Sequence, residues 1–575
     1  MLGAWIENHD CEFCVWGQAA GRIVLRLMSN GETRDLAMRQ DGEYFRLQTA
    51  ARAGDRYFYI VDDHKPVPDP VSRFLPQGVH GPTEVVDPAD FSWSDEDWRG
   101  RLLKDYVIYE LHLGTFTPEG TLDAAIMKLA YLKRLGVTVI ELMPVAAFPG
   151  TRNWGYDGVS IYAVQESYGG PQALRRFVDA AHAEGLAVML DVVYNHLGNE
   201  GNYLRFFGPY FTEKHKTPWG DAVNYDQECC QAVRDYVVEN ARYWIREYHI
   251  DGLRLDAVQT ILDDSPQHIL AEIGENVSEL GRELGREVCV IAETDRNEEK
   301  IVRPRALGGY GLDALWSDDF HHAFHAFFTG ERMGFYQDFG RPEQMVRALS
   351  DGFAFQGEPF RFWGGLPRGT PAEGVARPAH VIYVQNHDLV GNRPDGERLT
   401  TLVPLGVRLL AAALLLLAPE TPLLFMGQEY DERNPFLFFT DYGDSALQKA
   451  VRKGRCKELE HFGFKVEDVA DPQDPFTFLR SKLNWDLAAG NKRMLAWYKA
   501  LLELRAKYIV DGERTCRVEL IEGVIHMQVP MKQPKLRLFA RIEGSASLPE
   551  AGAGWERALR EDEDGYAVSV FVTAS

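Results

Sequence analysis

A chain of 575 residues exceeds what one ordinary core organises, so two to four domains are expected. Its 85 acidic against 62 basic residues leave a formal charge of -23, which argues against nucleic acid or an anionic membrane surface as a partner and leaves neutral or cationic ligands open. The start MLGAWIENHD lacks a basic region and a long apolar core, LLAAALLLLA (409–418) is too short for a membrane span, and seven scattered cysteines suit a reducing cytoplasm, so a soluble, uncleaved, cytoplasmic chain is expected.

The first hundred residues run in short apolar alternations such as RIVLRLM and DRYFYIVDD, broken by Gly, Asp and Pro, which is the pattern of a β-sandwich. Cys11 and Cys14 have zinc-like spacing, but no second pair follows and the adjacent Cys229 and Cys230 are poor partners, so no metal is expected. HKPVPDPVSRFLPQGVHGPTEVVDPADFSW is rich in Pro and Asp and lacks a period; it is expected to run over a domain surface before a new core begins near Leu103.

From there, apolar runs alternate with stretches of helical period. The runs are VIYELHLGTF, VTVIELMPV, LAVMLDVVYNH, IDGLRLDAV, VCVIAETD, LDALWSDDF, HVIYVQNHD and TPLLFMGQE. Between them TLDAAIMKLAYLKRLG, PQALRRFVDAAHAEG and CCQAVRDYVVENARYWIREYH read as amphipathic crossovers between parallel neighbours. Eight such runs fit a (β/α)8 barrel; a doubly wound sheet would usually carry a Gly-rich phosphate turn, and none is found. HHAFH places His321 and His325 on one helical face, where core or substrate contact is favoured over metal for want of a third ligand. After a helix near 494–507, GVIHMQVPM and LRLFARIEG read as a small antiparallel β domain. The expected organisation is a β-sandwich of carbohydrate-binding or immunoglobulin-like type at 1–98, the barrel with loop insertions at 99–508, and the C-terminal β domain at 509–575.

In such a barrel, reactive groups gather where the strands end. The third run ends in Asp191, Asn195 and His196, the fourth in Arg254 and Asp256, the fifth in Glu293 and Asp295, and the seventh in Asn386, His387 and Asp388. Converging acids suggest glycoside hydrolysis, in which one carboxylate attacks or stabilises the anomeric carbon and another protonates the leaving oxygen. A separation of about 5 to 5.5 Å gives a covalent intermediate and retention, a wider one an inverting water, and both are open at this point. Arg254, on the same strand face as Asp256, would hold that acid ionised and orient it as a nucleophile. Glu293 would have to titrate about 2 pH units above its ordinary value, roughly 2.7 kcal/mol, and crowding by Asp256 and Asp388 pushes that way. For a single acid, a helix cap or a loop ion pair explains it as well; for three at successive strand ends, convergence is the better reading. Trp154, Tyr156 and Trp219 are candidates to stack on sugar rings, against the alternative that aromatics fill the core.

DVVYNH, DGLRLDAV, IAETD and VQNHD, in that order, resemble the four motif regions of the α-amylase clan of retaining α-glucan enzymes (glycoside hydrolase family 13). The resemblance implies Asp256 as nucleophile, Glu293 as general acid/base and Asp388 as the third acid, on the hydroxyls of the distorted sugar. It implies that His196, Arg254 and His387 line that subsite, and that Tyr156 stacks on the sugar ring. NWGYDGVSIYAVQESYGGP, WGDAVNYD, IAETDRNEEKIVRP, VQNHDLVGNR, LLFMGQEY and above all DPQDPFTFLRSKLNW resemble more narrowly the maltooligosyltrehalose trehalohydrolases. That resemblance implies hydrolysis of the α-1,4 bond beside the terminal trehalose of a maltooligosaccharide, with no cofactor. Gln259, Thr294 and Leu389 depart from the expected His, Ser and Gln, which points to Gln259 and the Asp295 to Asn297 loop as contacts for the trehalose end. The competing readings are a glucan branching transferase on the same barrel and a non-catalytic glucan-binding protein.

Overall fold

The computed structural model describes residues 2–7, 10–464, 469–487, 490–510 and 514–574. All eight runs become strands of one closed parallel barrel: β1 (Ile108–Leu111), β2 (Val139–Leu142), β3 (Ala187–Val192), β4 (Gly252–Leu255), β5 (Cys289–Ala292), β6 (Ala314–Trp316), β7 (His380–Ile382) and β8 (Thr421–Phe425). Each strand pairs with the next and β8 pairs with β1.

The period of two sorts these strands into two cores. Ile108, Val139, Ala187, Met189, Cys289, Ile291, Ala314, Trp316, Val381 and Leu423 fill the barrel interior. Their strand neighbours, including Tyr109, Ile140, Val188, Leu253, Leu255 and Leu424, pack outward in the continuous core that takes in the surrounding helices. At the inward position of β4 stands Gly252, where a Cβ would come within 2.7 Å of the Cys289 carbonyl oxygen. Continued one layer upward, the inward face carries charge: Glu110 on β1, Glu141 on β2, Asp191 on β3 and Arg254 on β4.

Two four-stranded antiparallel sheets make the N-terminal sandwich. In the strand Arg56–Val61, Tyr57, Tyr59 and Val61 alternate inward with half-buried neighbours. A five-stranded antiparallel sheet closes the chain, from Arg517–Ile521 to Tyr566–Thr573. The run from 409 lies in the helix Leu405–Leu417, apolar and buried except towards Leu405 and Arg408, which pairs with Asp431. Arg505, on the helix Lys492–Tyr508, donates to the carbonyls of Leu416, Ala418 and Glu420, serving the carbonyl oxygens that the helix end leaves unbonded. Among the described residues no helix is long and apolar enough to cross a membrane.

One expectation is corrected. The Pro-rich segment after the sandwich does not run over a surface: Val67, Asp69, Val71, Ser72, Arg73 and Leu75 are buried. Side chains satisfy its irregular backbone, with Asp69 accepting from the Val71 N–H and the Tyr57 hydroxyl. Arg73 pairs with Glu247 on the barrel helix Cys230–Glu247, and the Tyr236 hydroxyl donates to the Pro70 carbonyl, so this segment is the seam between sandwich and barrel.

Candidate active site

Asp256 follows β4 directly, its N–H bonded to the Val192 carbonyl of β3. Arg254 is fully buried, its guanidinium over the Trp316 ring at 4.4 Å. Its Nη1 donates to Asp256 Oδ1 at 2.7 Å and to Asp191 at 2.8 Å, while Nη2 lies 3.5 Å from Glu293 Oε2. One cation thus joins three carboxylates, two of them the acids singled out at the ends of β4 and β5. Asn195 donates to the other oxygen of Asp256 at 3.0 Å, which fixes the plane of that carboxylate.

Glu293 is held from the opposite side. Ala257 has a left-handed backbone, φ 41°, a conformation that costs a non-glycine residue about 1–2 kcal/mol. In that conformation its N–H donates to Glu293 Oε2 at 2.7 Å. Burial pushes the Glu293 carboxyl well above the ordinary carboxylate range, Arg254 pulls it back, and the charges of Asp256 and Asp388 add to the rise. A carboxyl whose pKa burial raises therefore sits beside an Arg-paired carboxylate, an arrangement of the kind glycoside hydrolysis uses.

Asp388 lies in the short helix His387–Gly391, capped by Asn386, whose side chain accepts from the Leu389 N–H. Burial would raise the Asp388 carboxyl, but the adjacent His387 outweighs it and holds the group at about 2. His387 is fully enclosed, with Nδ1 2.5 Å from Glu110 Oε1 and Nε2 2.8 Å from the Tyr156 hydroxyl and 3.3 Å from Asp388 Oδ1. The Tyr156 hydroxyl reaches Asp191 at 2.5 Å, and the ring stacks on His387 at 5.3 Å, which occupies one of its faces.

Tyr156, Arg254, Asp256, Glu293, His387 and Asp388 are thus brought into one network. His196 joins it through Asn195 and the Tyr156 carbonyl, and the half-exposed Trp219 stacks on His196 at 4.4 Å. Asp295 and Asn386 line the adjoining cleft, whereas Asn297 turns into the core and donates to Asp319. Gln259 bonds to none of these residues, and its Oε1 is buried without a partner. Trp154 is a core residue, stacked on Phe436 and donating to the Leu437 carbonyl. His321 and His325 are core groups as well, bonded to the Val384 carbonyl and the Tyr336 hydroxyl, and to Glu331. His215, Asp226 and Asp264 converge, but the Lys214 ammonium pairs with both carboxylates at 2.7 and 2.8 Å.

Several residues were not singled out in the sequence. Glu110, Glu141 and Asp318 belong to the mouth, and alternation could have found the first two, since Ile108 with Glu110 and Val139 with Glu141 share inward faces. Asp318 accepts from the Tyr383 hydroxyl, and burial, against Arg368 and that hydroxyl, raises it to about 7. Beyond Glu293 a cleft of about 210 Å³ is walled by Phe335, Phe360, Phe362, Trp363, Phe462 and Phe464, with Arg368 and Arg393 among its polar groups. DPQDPFTFLRSKLNW is not among the wall residues: Lys482 and Trp485 bond to carbonyls of Gly114, Phe116 and Pro118, just after β1 in the chain.

Residues 85–221 match the family model of the alpha amylase catalytic domain. Malto-oligosyltrehalose trehalohydrolase of Arthrobacter ramosus is 46% identical over 550 residues, covering 94% of each chain, and that of Saccharolobus solfataricus is 46% identical over 522, covering 90% of this chain and 89% of its own. A 1,4-alpha-glucan branching enzyme of Corynebacterium jeikeium is 29% identical over 358 residues, 56% of this chain. The crystal structure of a Salmonella typhimurium protein provisionally assigned as an alpha amylase superposes with a TM-score of 0.90 at 40% identity, covering 100% of this chain and 99% of that one. A pullulanase from Anoxybacillus sp. LM18-11 shares the fold, with a TM-score of 0.73 at 19% identity. The strand-end acids, the closed barrel and identity across nearly the whole length converge: the chain belongs to the malto-oligosyltrehalose trehalohydrolases of the α-amylase family.

Proposed function

We infer that the protein hydrolyses the α-1,4 bond next to the terminal trehalose of a maltooligosaccharide and releases α,α-trehalose. The observation that carries this reading is 42–46% identity to proteins of that name over most of both chains, against 29% over about half for a branching enzyme. The site geometry supports the chemistry. Asp256, oriented by its ion pair with Arg254, attacks the anomeric carbon; Glu293 delivers a proton to the leaving trehalose oxygen and then takes one from water. The anomeric configuration is retained. Asp388 binds the sugar hydroxyls, with His196, Arg254, His387 and Tyr156 lining the same subsite, Asn386 and Asp295 in the cleft beyond it, and Trp219 and Gln259 at its margins. The reading invokes no metal ion, cofactor, nucleic acid or membrane. Seven free cysteines suit a cytoplasmic enzyme, and the domains divide at 1–98, 99–508 and 509–575.

Incubation with a maltooligosaccharide capped by trehalose should yield free trehalose, and its absence from folded protein would overturn the reading. The same preparation given amylose should leave iodine staining and α-1,6 linkage content as a hydrolase does; new α-1,6 links would establish the branching alternative. A non-catalytic glucan binder would bind the capped oligosaccharide without any product.

A further inference from the structure

We propose that Glu110 is a positioning residue that holds His387 as an imidazolium, so that a fixed positive charge lies under Tyr156 and Asp388 at the sugar subsite. Its kinetic consequence rests on the hydrolase reading above; the charge itself does not.

Proton inventory around the ring leads there. Glu110 is inward on β1, one layer above Ile108, and grips His387 twice: Oε1 lies 2.5 Å from Nδ1, and Oε2 accepts the His387 backbone N–H at 2.9 Å. A carboxylate only accepts, so Nδ1 carries a proton. On the far side Nε2 meets the Tyr156 oxygen at 2.8 Å and Asp388 Oδ1 at 3.3 Å. The single phenolic proton of Tyr156 is directed to Asp191, a carboxylate ion-paired with Arg254, which leaves Tyr156 an acceptor towards the ring. Both ring nitrogens therefore face acceptors. A neutral imidazole would set a lone pair against one of them, whereas an imidazolium satisfies every partner.

The other charged and titratable groups around the ring agree. Glu110 comes from β1, Glu141 from β2, Asp191 from β3, Arg254 from β4 through Tyr156, and Asp388 from the ring's own helix. Glu141 has no hydrogen-bond partner and so makes none to the ring, and burial, then Glu110, push its carboxyl well above the ordinary range. His112, two residues after Glu110, is pushed down to about 3 by burial and stays neutral. Burial also works against charge on His387, but Asp388 and Glu110 outweigh it. Two cations result, each flanked by two carboxylates: Arg254 between Asp191 and Asp256, and His387 between Glu110 and Asp388. Tyr156 ties one set to the other.

The test follows the ring nitrogens of the full-length protein by NMR with 15N-labelled histidine, His387 being assigned from the spectrum of His387→Asn. In the wild type His387 should stay doubly protonated from pH 5.5 to 8.5, and a ring that loses its proton within that range overturns the proposal. This arm reads the wild-type protein and needs no substrate, so a failure to release trehalose would sink the hydrolase reading and leave the charge standing. In Glu110→Gln, the alkaline limb of kcat/KM for the trehalose-capped oligosaccharide should move down by at least one pH unit. The loss at pH 8 should then exceed the loss at pH 5.5 by at least tenfold. An equal loss at every pH would mark Glu110 as a packing residue only and overturn the proposal.

Discussion

On the β3–β4 side of the mouth, Asp191, Tyr156, Asn195, Asp256 and Arg254 are bonded to one another at 2.5–3.0 Å. On the other side, beyond Glu293, the wall is rich in aromatic rings, and Asp295 Oδ1 has no partner. The first side is organised before substrate arrives, which is how fixed dipoles and charges stabilise a developing charge without rearranging. The second offers ring faces beside polar groups such as Arg393, paired with Glu331, and Asp295, which suits recognition. On the proposed function, chemistry falls to the bonded half and selectivity to the cleft, and the two should respond to substitution on different scales.

The largest effect is expected on the bonded side. Asp256→Asn should lower turnover by about 10³-fold or more while binding of the capped oligosaccharide, followed by calorimetry, persists, because the proposed nucleophile is lost and the shape is kept. Arg254→Met leaves Asp191 and Asp256 as a buried like-charge pair and should destabilise the fold by about 3–5 kcal/mol in urea titrations at pH 7, less at acid pH. Asp318→Asn tests the border between the halves. Its carboxyl, ordinarily near 3.8, is raised to about 7, so its contribution to stability is fully present below pH 4 and lost as pH rises through 7. The substitution should therefore stabilise the protein at pH 8, by about 2–4 kcal/mol, and give no gain at pH 4.

On the open side the numbers shrink. Trp363→Ala removes part of the aromatic wall and should raise KM about tenfold with kcat changed far less, a pattern that steady-state kinetics separates directly. Gln259→Ala breaks no hydrogen bond of its side-chain oxygen and should move KM by about threefold at most. A larger loss of kcat at Gln259 than at Trp363 would mean that the two halves are not divided as described.

Much of the bonded side was legible because it is carried by short-range signals. The third, fourth, fifth and seventh apolar runs end in polar residues that the strands deliver to the mouth, and Arg254 with Asp256 follow from alternation alone. Glu110 was missed because it sits inside a run and takes its meaning from a residue 277 positions away. The cleft was missed for a similar reason: Phe335 and Trp363 lie 28 positions apart between β6 and β7, Phe462 follows β8, and nothing local says that their rings meet. The Pro-rich seam was misread because composition reports the absence of regular structure, not exposure; Asp69 and Arg73 supply the partners that allow irregular backbone to be buried.

The pairing of β8 with β1 also has a meaning in time. Ile108 waits for Leu423 to complete its sheet, so the edge of β1 that faces β8 stays unpaired for most of the synthesis of the barrel. At ~5–20 residues per second this is roughly 15–60 s, an interval in which β1 can find a wrong strand. Glu110 lies on that same strand and cannot reach His387 until residue 387 has been made, so the last contacts of the barrel to form include those that set the charge of its site.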